Sequence, residues 1–244
     1  MKDFDETKIY GIFENTYGRL LKARVENSGA GVVSFPHSDS RKAIPHTADS
    51  EKLRDITEFD WVFLSDVFAA HYFIDTLSSA GINLHDLNSV RVCCVGQGVA
   101  HYLRNSNIHT DLALGPVTNG VERELIEFVG EQIDGSKFLV PTASVPEVQV
   151  FPQLRALGAH VDEIVLLEKR SAPDHEANRA MAMLLGGAID EMIFLDPLDI
   201  LNLIDLFPDQ TLSELLNEVR VVAANGEIFE SLSNFGLNPQ YLKK

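Results

Sequence analysis

The polar residues able to act on a ligand fall just after short apolar runs: Glu14–Asn15, Ser65–Asp66, Gly96–Gly98, Thr142–Ser144, Asp196–Pro197 and Asn225–Gly226. Most of these positions also open a helical pattern. Helix starts present unpaired backbone N–H groups, which favour anions. Ser65, Gly96, Gly98, Thr142, Ser144 and Asn225 are therefore the candidate ligand-binding residues. Their chemistry is hydrogen bonding from hydroxyls, backbone amides and a carboxamide. The same residue types also cap helices and make turns, so each has a purely structural use as well.

Strong reactive groups are harder to find. The chain has no GxxxxGK[ST] phosphate loop and no GxSxG elbow. In VGQGVA the place of a third glycine is taken by His101, so the run reads as a tight turn presenting amides rather than a dinucleotide fingerprint. The eight histidines are scattered without a metal-binding spacing, and His71 and His101 read as packed or solvated helix residues. Cys93 and Cys94 are adjacent in VRVCCVG. Neighbours on a strand point to opposite faces, so these are two small buried hydrophobes and not a disulfide. Phe68, Tyr72 and Phe73 have helical spacing and read as core. No metal or cofactor is expected.

The elements that must position these residues alternate in type. Apolar runs at Ile9–Phe13, Gly31–Phe35, Trp61–Leu64, Val90–Val95, Thr110–Leu114, Lys137–Val140, Val161–Leu167, Glu191–Leu195 and Val219–Ala224 are separated by longer helical patterns. Continuous apolar strands between helices predict parallel sheet covered on both faces. Ser144 with Glu147 and Thr211 with Glu214 have capping-box spacing, with Pro146 in the first turn of the former. Gly29, Gly158 and Gly236 stand where helices should stop. Pro152 should kink or shorten the helix expected over 145–157.

Composition limits the partners. The 244 residues are 45% hydrophobic, enough for one large core or two smaller ones. A net charge of −16 repels nucleic-acid phosphates and anionic lipid, and the basic residues cluster only in pairs such as Arg41–Lys42 and Lys169–Arg170. No stretch approaches the ~20 apolar residues of a membrane span, and MKDFDETKIY lacks an apolar signal segment. A cytoplasmic monomer with a small-molecule ligand, and with neither nucleic acid nor membrane as partner, is the expectation.

The chain also repeats. KIYGIFE at Lys8 resembles KFLVPTA at Lys137, SGAGVVSFP aligns with LGAHVDEIV through Gly29 and Gly158, and VRVCCVGQGVAHYL aligns with VRVVAANGEIFESL through Val90 and Val219, each at an offset of 129. DWVFLSD resembles DEMIFLD, with Phe63 and Phe194 at 131. Four matches in one order at nearly one offset indicate a duplicated unit of about 130 residues and a pseudo-symmetric pair of α/β lobes. Ligands of open parallel sheets sit beyond the carboxyl ends of the strands, which is where the candidate residues lie.

Those segments, from about Lys8 to Leu237, resemble the uroporphyrinogen-III synthase family. The resemblance rests on DWVFLSDVFAAHYFIDTL, VRVCCVGQGVAHYL, KFLVPTASVPEVQVFPQLRALGAHVDEIVLLEKR, EMIFLDPLDILNLI and VRVVAANGEIFESLSNFGL. It implies two α/β lobes, each with a parallel sheet flanked by helices, joined by a two-stranded linker. Residues 1–38 and 170–244 would form one discontinuous lobe and 43–167 the other, with linkers at about 39–42 and 168–169. The implied activity closes the linear tetrapyrrole hydroxymethylbilane to uroporphyrinogen III, inverting the last pyrrole ring and losing water, without a cofactor. The family's tyrosine position holds Leu167, so the catalytic residue is open, with Tyr72 and Tyr102 as nearby phenols. The family's Gly-x-x-Thr pattern reads Gly96-Gln97-Gly98-Val99 and Asn225-Gly226-Glu227-Ile228, and its Thr-Arg-Pro reads Phe13-Glu14-Asn15. Ser65 matches the family's serine, with Asp196 as its counterpart in the second copy. A non-catalytic ligand-binding or regulatory protein that keeps the synthase fold is the alternative.

Overall fold

A computed structural model describes residues 4–37, 39–43, 47–115, 121–143, 151–170 and 174–242. The strands are β1 (Ile9–Phe13), β2 (Gly31–Phe35), β3 (Asp39–Lys42), β4 (Trp61–Leu64), β5 (Arg91–Val95), β6 (Leu112–Leu114), β7 (Lys137–Ala143), β8 (His160–Arg170), β9 (Glu191–Phe194), β10 (Arg220–Ala223) and β11 (Gln240–Tyr241). The helices are α1 (Thr16–Asn27), α2 (Thr47–Arg54), α3 (Val67–Ser79), α4 (Gln97–Asn105), α5 (Val121–Val129), α6 (Pro152–Ala156), α7 (Asp174–Leu185), α8 (Pro197–Leu206), α9 (Leu212–Leu215) and α10 (Gly226–Asn234). Among the described residues no helix is long and apolar enough to cross a membrane.

The chain divides into two compact units, Met1–Asp39 with Arg170–Lys244, and Ser40–Lys169. The first holds a sheet of order β11-β10-β9-β1-β2, parallel at every pairing. The second holds the order β3-β8-β7-β4-β5-β6, parallel from β8 through β6. The chain leaves the first unit along β3 and returns along β8, and these two strands are neighbours.

Alternation along the strands builds two apolar faces on each sheet. In the second unit Trp61, Phe63, Cys93, Val95, Phe138 and Val140 pack with Leu125 and Val129 of α5 and Leu154 of α6. The intervening Val62, Leu64, Cys94 and Leu139 are equally buried, and α3 and α4 pack against their strands. Phe68, Tyr72 and Phe73 of α3 are core, as their spacing predicts. In the first unit Tyr10, Ile12, Ile193 and Val222 pack with Leu21 and Val25 of α1. Phe13, on the alternate positions of its strand, meets Phe35 and Phe194 at ring-centroid distances of 5.4 and 5.9 Å.

The two sheets are copies. Reading β4, β5, β6, β7 and β8 onto β9, β10, β11, β1 and β2 superposes one strand order on the other, so each sequence repeat contributes to both units. Strand pairing corrects the repeat alignment by one residue in two places. Asp60 and Asp190 hold equivalent positions, as do Lys137 and Ile9, giving offsets of 130 for β4 with β9 and 128 for β7 with β1. Asp196 is therefore the counterpart of Asp66, not of Ser65: both are N-caps, of α8 and α3. Sequence similarity alone slid these short apolar strands by one step.

The punctuation largely follows expectation. Thr211 and Glu214 form the capping box of α9. Gly29, Gly158 and Gly236 take φ of +90°, +93° and +78° after helices. Pro152 does not kink a helix; it begins α6, which has only five residues, and Phe151 before it is held at φ +56°. A ring at that strained backbone persists because it is buried against Phe63, edge-on at 4.6 Å. The capping box expected at Ser144 lies outside the described residues.

Candidate active site

In the second unit the strand order reverses between β4 and β7, since β5 and β6 build outward on one side and β7 and β8 on the other. Such a reversal opens a crevice at the carboxyl ends of the strands. Ser65 follows β4, Thr142 lies near the end of β7, and Gly96 follows β5, so three adjacent strand ends carry three of the candidate residues. Ser65 and Thr142 are separated by 77 positions, the same offset that pairs Trp61 with Phe138 and Val62 with Leu139. Both are half-buried. Ser65 Oγ donates to Asp66 Oδ2 at 3.3 Å, and Thr142 Oγ1 donates to the Ile164 carbonyl at 3.3 Å. Ser144 lies outside the described residues.

Gly96 is placed by backbone geometry. Its N–H donates to the Leu114 carbonyl at 2.9 Å, and its φ of +90° with ψ of 147° suits glycine alone. That residue turns the chain from β5 directly into α4, whose first turn contains Gly98, buried. Five helices begin within three residues of a strand end: α1, α3, α4, α8 and α10. Asn15, Asp66, Asp196 and Asn225 cap four of them through a side-chain oxygen. Gly96 supplies no such oxygen to α4. Among the described residues the start of α4 is thus the one of these five without a side-chain cap.

Asn225 lies in the first unit and its Oδ1 accepts from Ile228 N–H at 3.0 Å, so its capping role uses the oxygen. Glu14 faces Lys22 Nζ at 3.4 Å, and Glu227 adds a carboxylate in the first turn of α10.

The phenols do not stand at strand ends. Tyr72 is buried on α3. Tyr102 sits in the middle of α4, its hydroxyl 3.0 Å from His71 Nδ1 of α3, and burial pushes its phenol well above the ordinary range. The pair braces the two helices. Cys93 and Cys94 are free and buried, and burial pushes the Cys94 thiol up to about 12 and that of Cys93 higher. Neither is a thiolate at neutral pH. Among the described residues no group of three or more His, Cys, Asp or Glu is placed to hold a metal ion.

A polar cluster that sequence reasoning missed occupies the corresponding reversal point of the first unit, between β1 and β9. Asp199, fully buried in the first turn of α8, accepts from the N–H groups of Leu195 and Asp196 at 2.9 and 3.0 Å through Oδ2. Its Oδ1 accepts from Asn15 Nδ2 at 2.9 Å and lies 3.5 Å from His37 Nδ1. Asn202 Nδ2 lies 3.1 Å from the same nitrogen and donates to the Leu198 carbonyl at 2.8 Å. The signals available were a carboxylate three residues after Asp196 and an asparagine within the apolar run LDILNLIDL. Neither reveals that residues 15, 37 and 199 meet.

Two parallel sheets of matching strand order, each with polar groups at its reversal point, define a duplicated two-unit α/β protein. The chain belongs to the uroporphyrinogen-III synthase family: the family model described as Uroporphyrinogen-III synthase HemD matches residues 20–244. Among solved structures it is similar to uroporphyrinogen III synthase from Thermus thermophilus, in the wild type with 17% identity over 96% of this chain and 91% of that chain and a TM-score of 0.44. It is also similar to uroporphyrinogen-III synthetase from Helicobacter pylori, with 11% identity over 96% of this chain and 91% of that chain and a TM-score of 0.38. No curated protein sequence matches it.

Proposed function

We propose that this protein catalyses the closure of hydroxymethylbilane to uroporphyrinogen III, with inversion of the terminal pyrrole and loss of water. Family membership supplies the reaction, and the uncapped start of α4 beside Ser65 and Thr142 is the observation that carries it to this chain. The substrate is a flexible polycarboxylate. Backbone amides at a helix start bind carboxylates without bringing a strong nucleophile. Once its hydroxyl leaves, the bilane is itself the electrophile, so the protein's main task is to hold the terminal ring so that its substituted carbon attacks. Hydroxyls and amides suffice for that task, and the buried, protonated thiols are consistent with it. On this reading the protein works as a cytoplasmic monomer and needs no cofactor, because the substrate carries its own leaving group.

The test is incubation with fresh hydroxymethylbilane, followed by oxidation and separation of the type I and type III isomers. Spontaneous closure gives type I, so type III product reports catalysis. Type I alone would favour a binding protein that kept the fold, a reading to which the carboxylates of Asp66, Asp196 and Glu227 at helix starts lend weight.

A further inference from the structure

Each unit also has a cleft at the amino ends of its central strands, and the two copies fill theirs differently. In the second unit Asp60, Trp61, Ser89, Arg91 and Asp134 are among the residues lining the cleft. Its own arginine occupies it: the guanidinium carbon of Arg91 lies 5.2 Å from the centroid of the Trp61 ring. In the first unit a cavity of about 660 Å³ is lined by the end of α7, by α9 and by the entries to β9 and β10. Strand pairing makes Arg220 the counterpart of Arg91 and Glu191 that of Trp61. With a carboxylate where the other copy has an indole, Arg220 bonds to Glu191 Oε1 at 3.0 Å and to Gln240 Oε1 at 2.6 Å, and it does not line the cavity. Ser89, in turn, has Glu218 as its counterpart.

We infer that this groove of the first unit docks a partner-protein segment that carries arginine beside apolar side chains. The groove has an apolar floor of Leu184, Leu185, Ile189, Leu215 and Val219. Leu184 and Ile189 are buried, whereas Leu185 is 60% exposed. Around this floor stand the carboxylates of Asp190, Asp209, Glu214 and Glu218. Asp190 and Glu214 accept from the N–H groups of Ile9 and Thr211, and Asp209 and Glu218 are exposed. Among the described residues no lysine or arginine lines the groove. Carboxylates beside an apolar surface attract a cation more strongly than they would in open water, and complementary charge selects the partner.

The chemistry of the occupant follows from both parts of the lining. A bare metal ion does not suit it, since among the described residues no group of three or more His, Cys, Asp or Glu is placed to hold one. A free polyamine would answer the carboxylates but would bring no side chain to cover Leu185. A segment with leucine-like side chains on one face and arginines flanking them answers both. The other copy shows the fit within this same protein, with a guanidinium laid over an apolar ring beside Asp60 and Asp134. The groove lies at the amino ends of β9 and β10, opposite the carboxyl ends where the ligand candidates of this unit stand, so the inference does not depend on the synthase reading.

The experiment titrates the full-length protein by calorimetry with a synthetic helical peptide of about 14 residues, leucines on one face and arginines flanking them. Spermine, and the same peptide with glutamate for arginine or alanine for leucine, are run beside it. The proteins are the wild type, the double variant Asp209→Lys with Glu218→Lys, Leu185→Ser, and Asp86→Lys as an exposed carboxylate of the other unit. The expected Kd is about 10 μM for the leucine–arginine peptide, weakened about tenfold or more in the double variant and in Leu185→Ser, and unchanged in Asp86→Lys. Both altered peptides should lose binding. No binding by the folded wild type, or binding that survives the groove variants, would overturn the assignment. Spermine bound as tightly, with the same dependence on Asp209 and Glu218, would assign the groove to a free cation instead. Self-association of the protein alone, seen by light scattering and abolished in the double variant, would assign it to a second copy and overturn the proposal equally.

Discussion

Asp60 and Asp190, 130 positions apart, make the same set of bonds in the two units. Asp60 Oδ2 accepts from Lys137 N–H at 2.8 Å, and Asp190 Oδ2 accepts from Ile9 N–H at 2.7 Å. Their backbone carbonyls accept from Arg91 and Arg220, and their own N–H groups donate to Lys137 and Ile9. Each aspartate thus pins the amino end of a central strand to its neighbours. The copies share this register device and the N-capping aspartates Asp66 and Asp196, while Ser65 corresponds to Leu195 and Gly96 to Asn225 at the carboxyl ends.

Replacing either aspartate with alanine removes the side-chain bond but leaves the backbone bonds. Both sites are exposed, so Asp60→Ala and Asp190→Ala should each cost about 0.5–1 kcal/mol, read as a lower denaturation midpoint. Equal losses in the two variants are expected; an effect at only one site would mean that the copies are not mechanically equivalent.

Gln97 is exposed at the first position of α4. Glutamate there should suit the helix, because a carboxylate complements the amino end of the helix dipole. It should also repel a polycarboxylate bound to the same amides. Gln97→Glu is therefore expected to keep or raise the melting temperature while raising KM for the bilane about tenfold, the equivalent of ~1.4 kcal/mol of repulsion. A KM that does not move would place the substrate's carboxylates elsewhere.

Asp199→Ala leaves two backbone amides and the Asn15 carboxamide without their acceptor in a buried place. The expected loss is about 3 kcal/mol, several times that of the exposed aspartates. Equilibrium unfolding of the two classes of variant side by side checks the ranking.

The thiols give a pH dependence. Cys94 ordinarily ionises near 9.0, and in the fold it is pushed up to about 12 by burial. Folding thus favours the neutral thiol. This contribution is intact below about pH 9 and is lost as pH rises toward 12, so stability should fall across that interval. Burial shifts Cys93 and Tyr102 in the same direction and adds to the fall. Thiol reagents should leave both cysteines unmodified in the folded protein at neutral pH and react after denaturation; rapid native labelling would contradict the burial.

Strands such as β1, β2 and β4 were legible because an unbroken run of apolar residues has few other uses in a chain of this composition. β3, with the sequence DSRK, and the two-residue β11 were not, since neither carries an apolar pattern and both exist through pairing alone. Phe151 shows the same limit: nothing in its identity signals a positive φ, which packing on Phe63 imposes. Ser65 and Gly96 do follow β4 and β5 as their apolar runs predict, whereas Thr142 lies inside β7, which continues past the apolar run ending at Val140 to Ala143. The His37–Asp199 cluster could not be read, because its members are far apart in sequence and polar residues inside helices look like exposed ones until the sheet brings them together.

The most direct test of the central claim is the rate of type III isomer formation from hydroxymethylbilane as protein concentration is varied. A rate that rises linearly with protein, and is depressed in Gln97→Glu at low substrate, is the predicted result. Type I isomer alone, from protein that melts cooperatively, would contradict it and leave a synthase fold without the synthase reaction.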